Sequence, residues 1–149
     1  MAQRRILVCA TAVTFAGFVV AALWIAVGVG VGLAEACTPA DTTNATRLNG
    51  REFVLAWRAE PMAIPVAEFF RLHVSACARS GARVGGLRMD AAMPAHGHGM
   101  NYRASVEALG NGQFIVRGLL LHMPGRWELV FDINTDDARE TLRAAVDLK

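Results

Sequence analysis

The sequence has no run of basic residues, no Gly-x-Ser-x-Gly motif and no phosphate-binding glycine loop. Without a basic run there is no electrostatic footprint for a nucleic acid or an acidic partner. Without the two motifs there is no signature of a serine hydrolase or a nucleotide phosphate site. The carboxylates Asp90, Glu107, Glu128 and Asp132 are scattered, and no two share a spacing that suggests acid–base work. The expectation is therefore a protein that is not an enzyme. The domain shows no internal repeat and no low-complexity tract. Histidine is scarce, with 4 residues, and cysteine scarcer still, with 3.

One further absence organises the N-terminus. Residues 6–33 contain no charged side chain and are dominated by Leu, Val, Ala, Ile and Phe. Arg4 and Arg5 precede this run and Ala34-Glu35-Ala36 follows it. A basic start, an apolar run and an A-x-A end are the parts of a secretory signal. The run exceeds a signal core of about 7–15 residues and suffices for a bilayer crossing of roughly 20. Residues 1–36 thus read as a cleaved signal peptide or as a single transmembrane anchor. Either reading exports the remainder, as a soluble periplasmic domain or one held at the inner membrane, with the arginines left on the cytoplasmic side. A lipoprotein reading through Cys37 is weaker, because Glu35 fits a lipobox poorly.

Removing residues 1–36 takes Arg4, Arg5 and Glu35 from totals of 15 basic and 13 acidic residues, leaving 13 and 12. The exported part is nearly neutral. Cys9 lies in the apolar run and reads as a small hydrophobe. Cys37 and Cys77 lie in the exported part, where an oxidising compartment favours one disulfide between them. Two free thiols or a contribution to metal binding are the alternatives.

Residues 37–50 are small and polar and read as a linker. The sequon Asn44-Ala45-Thr46 is too short to carry weight. From residue 51 the pattern turns strand-like, and 51–149 is expected to be the folded domain. Alternating or compact apolar runs occupy 51–58, 69–77, 87–93, 102–109, 113–122 and 127–133. Gly110-Asn111-Gly112 marks a hairpin, and Pro124-Gly125 the next turn. Residues 141–149 fit a strand, with a short helix capped by Asp136 as the alternative. About seven strands at spacings of roughly 8–12 residues predict an all-β antiparallel sandwich.

Two segments stand out chemically. The first is Met93-Pro94-Ala95-His96-Gly97-His98-Gly99-Met100. The second is Leu121-His122-Met123-Pro124-Gly125. Imidazole and thioether together suit copper, since thioether favours Cu(I) and imidazole also accepts Cu(II). Such a set favours holding an ion over activating water. If the two loops meet at one end of the sandwich, Met93, His96, His98, Met100, His122 and Met123 are the candidate ligands. His122 and Met123 are adjacent and would point to opposite faces of a regular strand. Met123 is the better candidate of the two. Met62 and Met89 read as core filler, and His73 as a residue of a polar face.

The paired segments, with the Gly-Asn-Gly hairpin between them and Arg126-Trp127-Glu128-Leu129 after the second, resemble the YtkA-like domain family. That family is related in outline to FixH-type proteins and small periplasmic copper carriers. The resemblance covers roughly residues 51–134. It implies an immunoglobulin-like sandwich and a role in copper handling, with a membrane-bound oxidase or other copper acceptor as partner. On the matching positions it implies Met93, His96, His98, Met100 and Met123 as ligands. Trp127 is expected in the core, and Arg126 as a residue that pins the loop. The other class of reading is an interaction module of a membrane-bound assembly complex, with the His/Met loop structural.

Overall fold

The computed structural model describes residues 37–40 and 43–149. The signal or anchor reading of 1–36 falls outside them. Among the described residues no helix is long and apolar enough to cross a membrane. The strands are β1 Thr46–Asn49, β2 Phe53–Glu60, β3 Phe70–Ala78, β4 Gly86–Met93, β5 His98–Gly99, β6 Ser105–Gly110, β7 Gln113–Leu119, β8 Gly125–Asn134 and β9 Arg139–Leu148. They form a five-stranded sheet in the order β1-β2-β3-β7-β6 and a four-stranded sheet in the order β5-β4-β8-β9. Neighbouring strands pair antiparallel.

Period-two patterning explains how the sheets stack. On β8, Trp127, Leu129, Phe131 and Ile133 point inward and are fully buried. On β4, Leu87, Met89, Ala91 and Met93 do the same. Phe53, Leu55 and Trp57 of β2, with Leu72 and Val74 of β3, belong to the same core cluster. The Trp57 and Phe131 rings stand 6.3 Å apart. Burying each such side chain contributes roughly 1.5–3 kcal/mol, which is why alternation fixes the register.

The described residues form nine strands where the pattern suggested about seven. The segment read as a linker supplies one of the two extra strands. β1 adds to β2 with Thr46 opposite Trp57 and Asn49 opposite Val54. As an edge strand with exposed side chains it has no apolar periodicity to betray it. The other extra strand is β5, only two residues long. Residues 139–148 are a full strand paired along β8, which settles the strand-or-helix alternative for the C-terminus. Met62, expected in the core, is 75% exposed on the connection between β2 and β3. That connection runs outside the sandwich, so its apolar residues have no opposite sheet to face.

Two long-range ties hold the pole at which β2 begins. Cys37 and Cys77 form a disulfide across a separation of 40 residues. A loop of that length constrains the unfolded chain by about 4 kcal/mol in the chain-entropy account. At the same pole the Glu140 carboxylate accepts the backbone N–H groups of Arg51, Glu52 and Phe53 at 2.7, 3.0 and 3.1 Å. This joins β9 of one sheet to the start of β2 in the other. Burial alone would raise the Glu140 pKa. The three N–H donors and the Arg51 charge outweigh it and hold the pKa below the ordinary value of about 4.5.

A depressed folded-state pKa means that the carboxylate stabilises the fold above its unfolded pKa. The stabilisation is lost as pH falls through the folded value. Glu140→Gln is expected to lower the unfolding free energy at neutral pH by about 2 kcal/mol, the scale of hydrogen bonds to a charged acceptor. Denaturant titrations of both proteins should show that gap closing as pH drops below 4.5. Replacing Cys37 and Cys77 together by Ser is expected to cost up to about 4 kcal/mol. Thiol counting on the native protein should find neither cysteine reactive until a reductant is added.

Candidate metal centre

The opposite pole of the sandwich carries both His/Met segments. After β4 ends at Met93, Pro94–His96 makes one 3-10 turn. Pro94 suits its first position, because a fixed φ is wanted there and no N–H is needed. Gly97 closes the turn at φ +68°, and its N–H bonds to the Met93 carbonyl at 3.0 Å. The chain then doubles back as β5, placing His98 opposite Met93 and Gly99 opposite Ala92. Met100 continues the tie, its N–H donating to the Ala91 carbonyl at 3.0 Å.

Cross-strand partners share a face. Met93 points into the core and is 1% exposed. His98, opposite it, is drawn to the same side and is half-buried. Its ring stands 5.8 Å from the Trp127 indole in an edge-on arrangement. Its Nδ1 lies 3.4 Å from the Gly99 carbonyl. A carbonyl only accepts, so this contact requires the Nδ1–H tautomer and leaves the Nε2 lone pair for a ligand.

The second segment reaches the same place from β7. Regular pairing ends at Leu119, after Gly118 at φ +76°. Leu121 then drops into the core, and its carbonyl accepts the Ala67 N–H at 2.8 Å. His122 turns onto the other edge contact of Trp127, with ring centroids 5.4 Å apart. Trp127 is fully buried and donates its Nε1–H to the Met123 carbonyl at 3.0 Å. One indole thus fixes both segments.

The outcome is three imidazoles in a row. The His98 and His122 centroids are 5.2 Å apart, and those of His96 and His98 5.8 Å. Two imidazoles that share one ion at about 2 Å have centroids roughly 5–6 Å apart, so both separations fit. Among the described residues, however, no three His, Cys, Asp or Glu side chains form one group able to hold a metal. Each fit is pairwise. His122 Nδ1 is buried and has no hydrogen-bond partner among the described residues. A buried ring nitrogen in that state costs about 1–3 kcal/mol unless something binds it.

The other sequence candidates sort by position. Met93 is sealed in the core, and its Cε occupies the space where Gly125 has no side chain. Met100 and Met123 are half-buried and pack against the core cluster. Met100 also lines a groove of about 690 Å³ with Met89, Asp90, Tyr102 and Arg103. Strand parity would let only one of His122 and Met123 reach the site, but β7 ends at Leu119, before either residue, so parity does not govern them. The ring contacts bring His122, not the Met123 carbonyl-holding turn, up to His98. Arg126 is exposed and stands 3.9 Å from Asp147 of β9. His73 lies apart, with its Nε2 2.7 Å from Glu60, and Arg71 bonds to the same carboxylate at 2.8 Å. The hydrogen bond from His73 holds the Glu60 pKa below its usual value.

Trp127 was legible as core, but its role as the common wall of both histidines was not. The spacing Met-Pro-Gly-x-Trp is the signal that could have found it, since four residues after Met123 bring the indole back over the turn. Comparisons with protein-family models, with curated proteins and with solved structures find no match to this chain.

The meeting of the two segments rests on Gly125. A Cβ there would lie 2.8 Å from Met93 Cε, at φ +120°. Gly125→Ala is expected to cost about 1–3 kcal/mol from backbone strain and crowding combined. Thermal unfolding measures it, and near-UV circular dichroism should show a changed Trp environment.

Proposed function

We propose that this chain is an exported copper-binding protein that carries or buffers the ion, using the His/Met pole as its site. The observation that supports this best is the 5.2 Å approach of His98 to His122 over Trp127, with His122 Nδ1 buried and unpartnered. Copper is cargo in this reading, not a resident cofactor. Two imidazoles are a borderline donor set that accepts Cu(I) and Cu(II), and the thioethers of Met100 and Met123 in the same two segments would add soft character. Among the described residues no carboxylate forms a metal-holding group with these histidines, which favours retention of an ion over hydrolysis.

The sandwich topology supports an immunoglobulin-like domain of the YtkA-like kind, although no family model matches. In that setting the chain works on the outer side of a bacterial inner membrane, periplasmic and either free or held by residues 6–33. Its acceptor is then a membrane-bound oxidase under assembly or another copper protein. A second reading, an interaction module of an assembly complex, has one observation in its favour. Phe69 and Tyr102 are 61% and 49% exposed and pack edge-on at 5.2 Å, with Tyr102 two residues beyond Met100. Exposed aromatic pairs are the kind of anchor that interfaces use.

The full chain, purified in detergent, is expected to bind one Cu(I) in competition with a chromophoric chelator. The double variant His98→Gln, His122→Gln should lose at least about 10-fold in affinity with its circular dichroism unchanged. Equal affinity in the two proteins contradicts the proposal and leaves the interaction module as the better reading.

A further inference from the structure

The row of three histidines has an order that the copper reading alone does not use. His96 is exposed on the 3-10 turn, His98 is half-buried in β5, and His122 is half-buried with Nδ1 sealed from solvent. His96 is thus the exposed end of the row, and His122 the end with a buried ring nitrogen. Both successive spacings, 5.8 and 5.2 Å, suit a shared ion, yet no three-residue group forms. The middle ring belongs to both pairs.

The geometry points to two overlapping two-histidine positions, an outer one at His96/His98 and an inner one at His98/His122, between which copper passes by exchanging one imidazole while His98 stays bound. The inference rests on the copper reading of this pole. It assigns separate tasks to residues that the sequence presents as equivalent. His98 is the pivot. His122, walled by Trp127 and Leu121, sets how tightly the ion is kept. His96 is the transfer ligand, the group that an incoming or outgoing copper meets first.

The surroundings of the turn agree with this division. A Cβ at Gly97 would meet nothing within 4 Å, so the turn is open on that side, although its body lies against β8. The Gly97 N–H ties it back to the carbonyls of Met93 and Pro94, at 3.0 and 3.3 Å. His96, exposed at the end of this turn, can change rotamer without uncovering buried surface. His122 has no such freedom, because the chain on either side of it is held by the Ala67–Leu121 and Trp127–Met123 hydrogen bonds. Each exchange breaks one copper–nitrogen bond as another forms, and neither proton nor electron has to move. A bare, strongly solvated ion is never released on the path.

A residue that serves only the path changes forward and reverse rates together and leaves the equilibrium where it was. This gives the test, made on the full chain with Cu(I) as the probe. Affinity is read by chelator competition, and transfer by stopped-flow mixing of the copper-loaded protein with excess chelator. His96→Ala should lose less affinity than either inner-position variant and slow transfer by about tenfold or more. His98→Gln should lose affinity, and His122→Gln should lose affinity while releasing copper faster. His96 is exposed, so its variant folds as the parent does, and circular dichroism verifies this for the other two. Loss of affinity in His96→Ala equal to that in His98→Gln would overturn the inference in favour of a single three-histidine site. Transfer at the unaltered rate in His96→Ala would overturn it as well. If the unaltered chain binds copper no better than the His98/His122 double variant, the copper reading itself fails, and that result is distinct from both.

Discussion

The pole depends on one buried side chain. Trp127 is at once the inward residue of β8 next to the turn, the hydrogen-bond donor to the Met123 carbonyl, and the wall against which the His98 and His122 rings stand edge-on. An indole is large enough to do all three, because it buries an extensive apolar face while its N–H reaches one polar partner. β4 supplies Met93 from the neighbouring strand, and Gly125 leaves room for its Cε. The two His/Met segments, about 25 residues apart in sequence, are thereby brought together by core packing.

That has a chemical consequence. A site whose ligands are positioned by the core before an ion arrives pays little ordering cost on binding. The donors nonetheless differ in how firmly they are held. His122 sits between two hydrogen-bonded neighbours, His98 on a two-residue strand, and His96 exposed on a single 3-10 turn. A gradient of rigidity from the core outward is what a carrier requires, since it has to hold an ion and also give it up.

Much of the fold was readable from the sequence, for a definite reason. β4, β8 and β9 bury one face only, so Leu87, Met89, Ala91 and Met93, or Trp127, Leu129, Phe131 and Ile133, announce themselves by alternation. β1 did not, because Thr46–Asn49 is an edge strand held by backbone pairing alone. Met62 misled for a related reason. Side-chain chemistry suggested the core, but position in a connection decided otherwise. Within the candidate site, the residue types and the two segments were plain. What the sequence could not show was which side of Met123 or His122 turns inward, because irregular backbone after Gly118 replaces strand parity. It also could not show that Met93 is enclosed beneath Gly125, which follows from the pairing of β4 with β8.

The central claim is that an ion at this pole is held by His98 and His122. Nuclear magnetic resonance of the imidazole nitrogens of the full chain, recorded before and after one equivalent of Cu(I), tests it most directly. The account predicts that the ring nitrogens of His98 and His122 shift strongly while those of His73 stay where they were. A spectrum in which the His98 and His122 nitrogens do not move would contradict it.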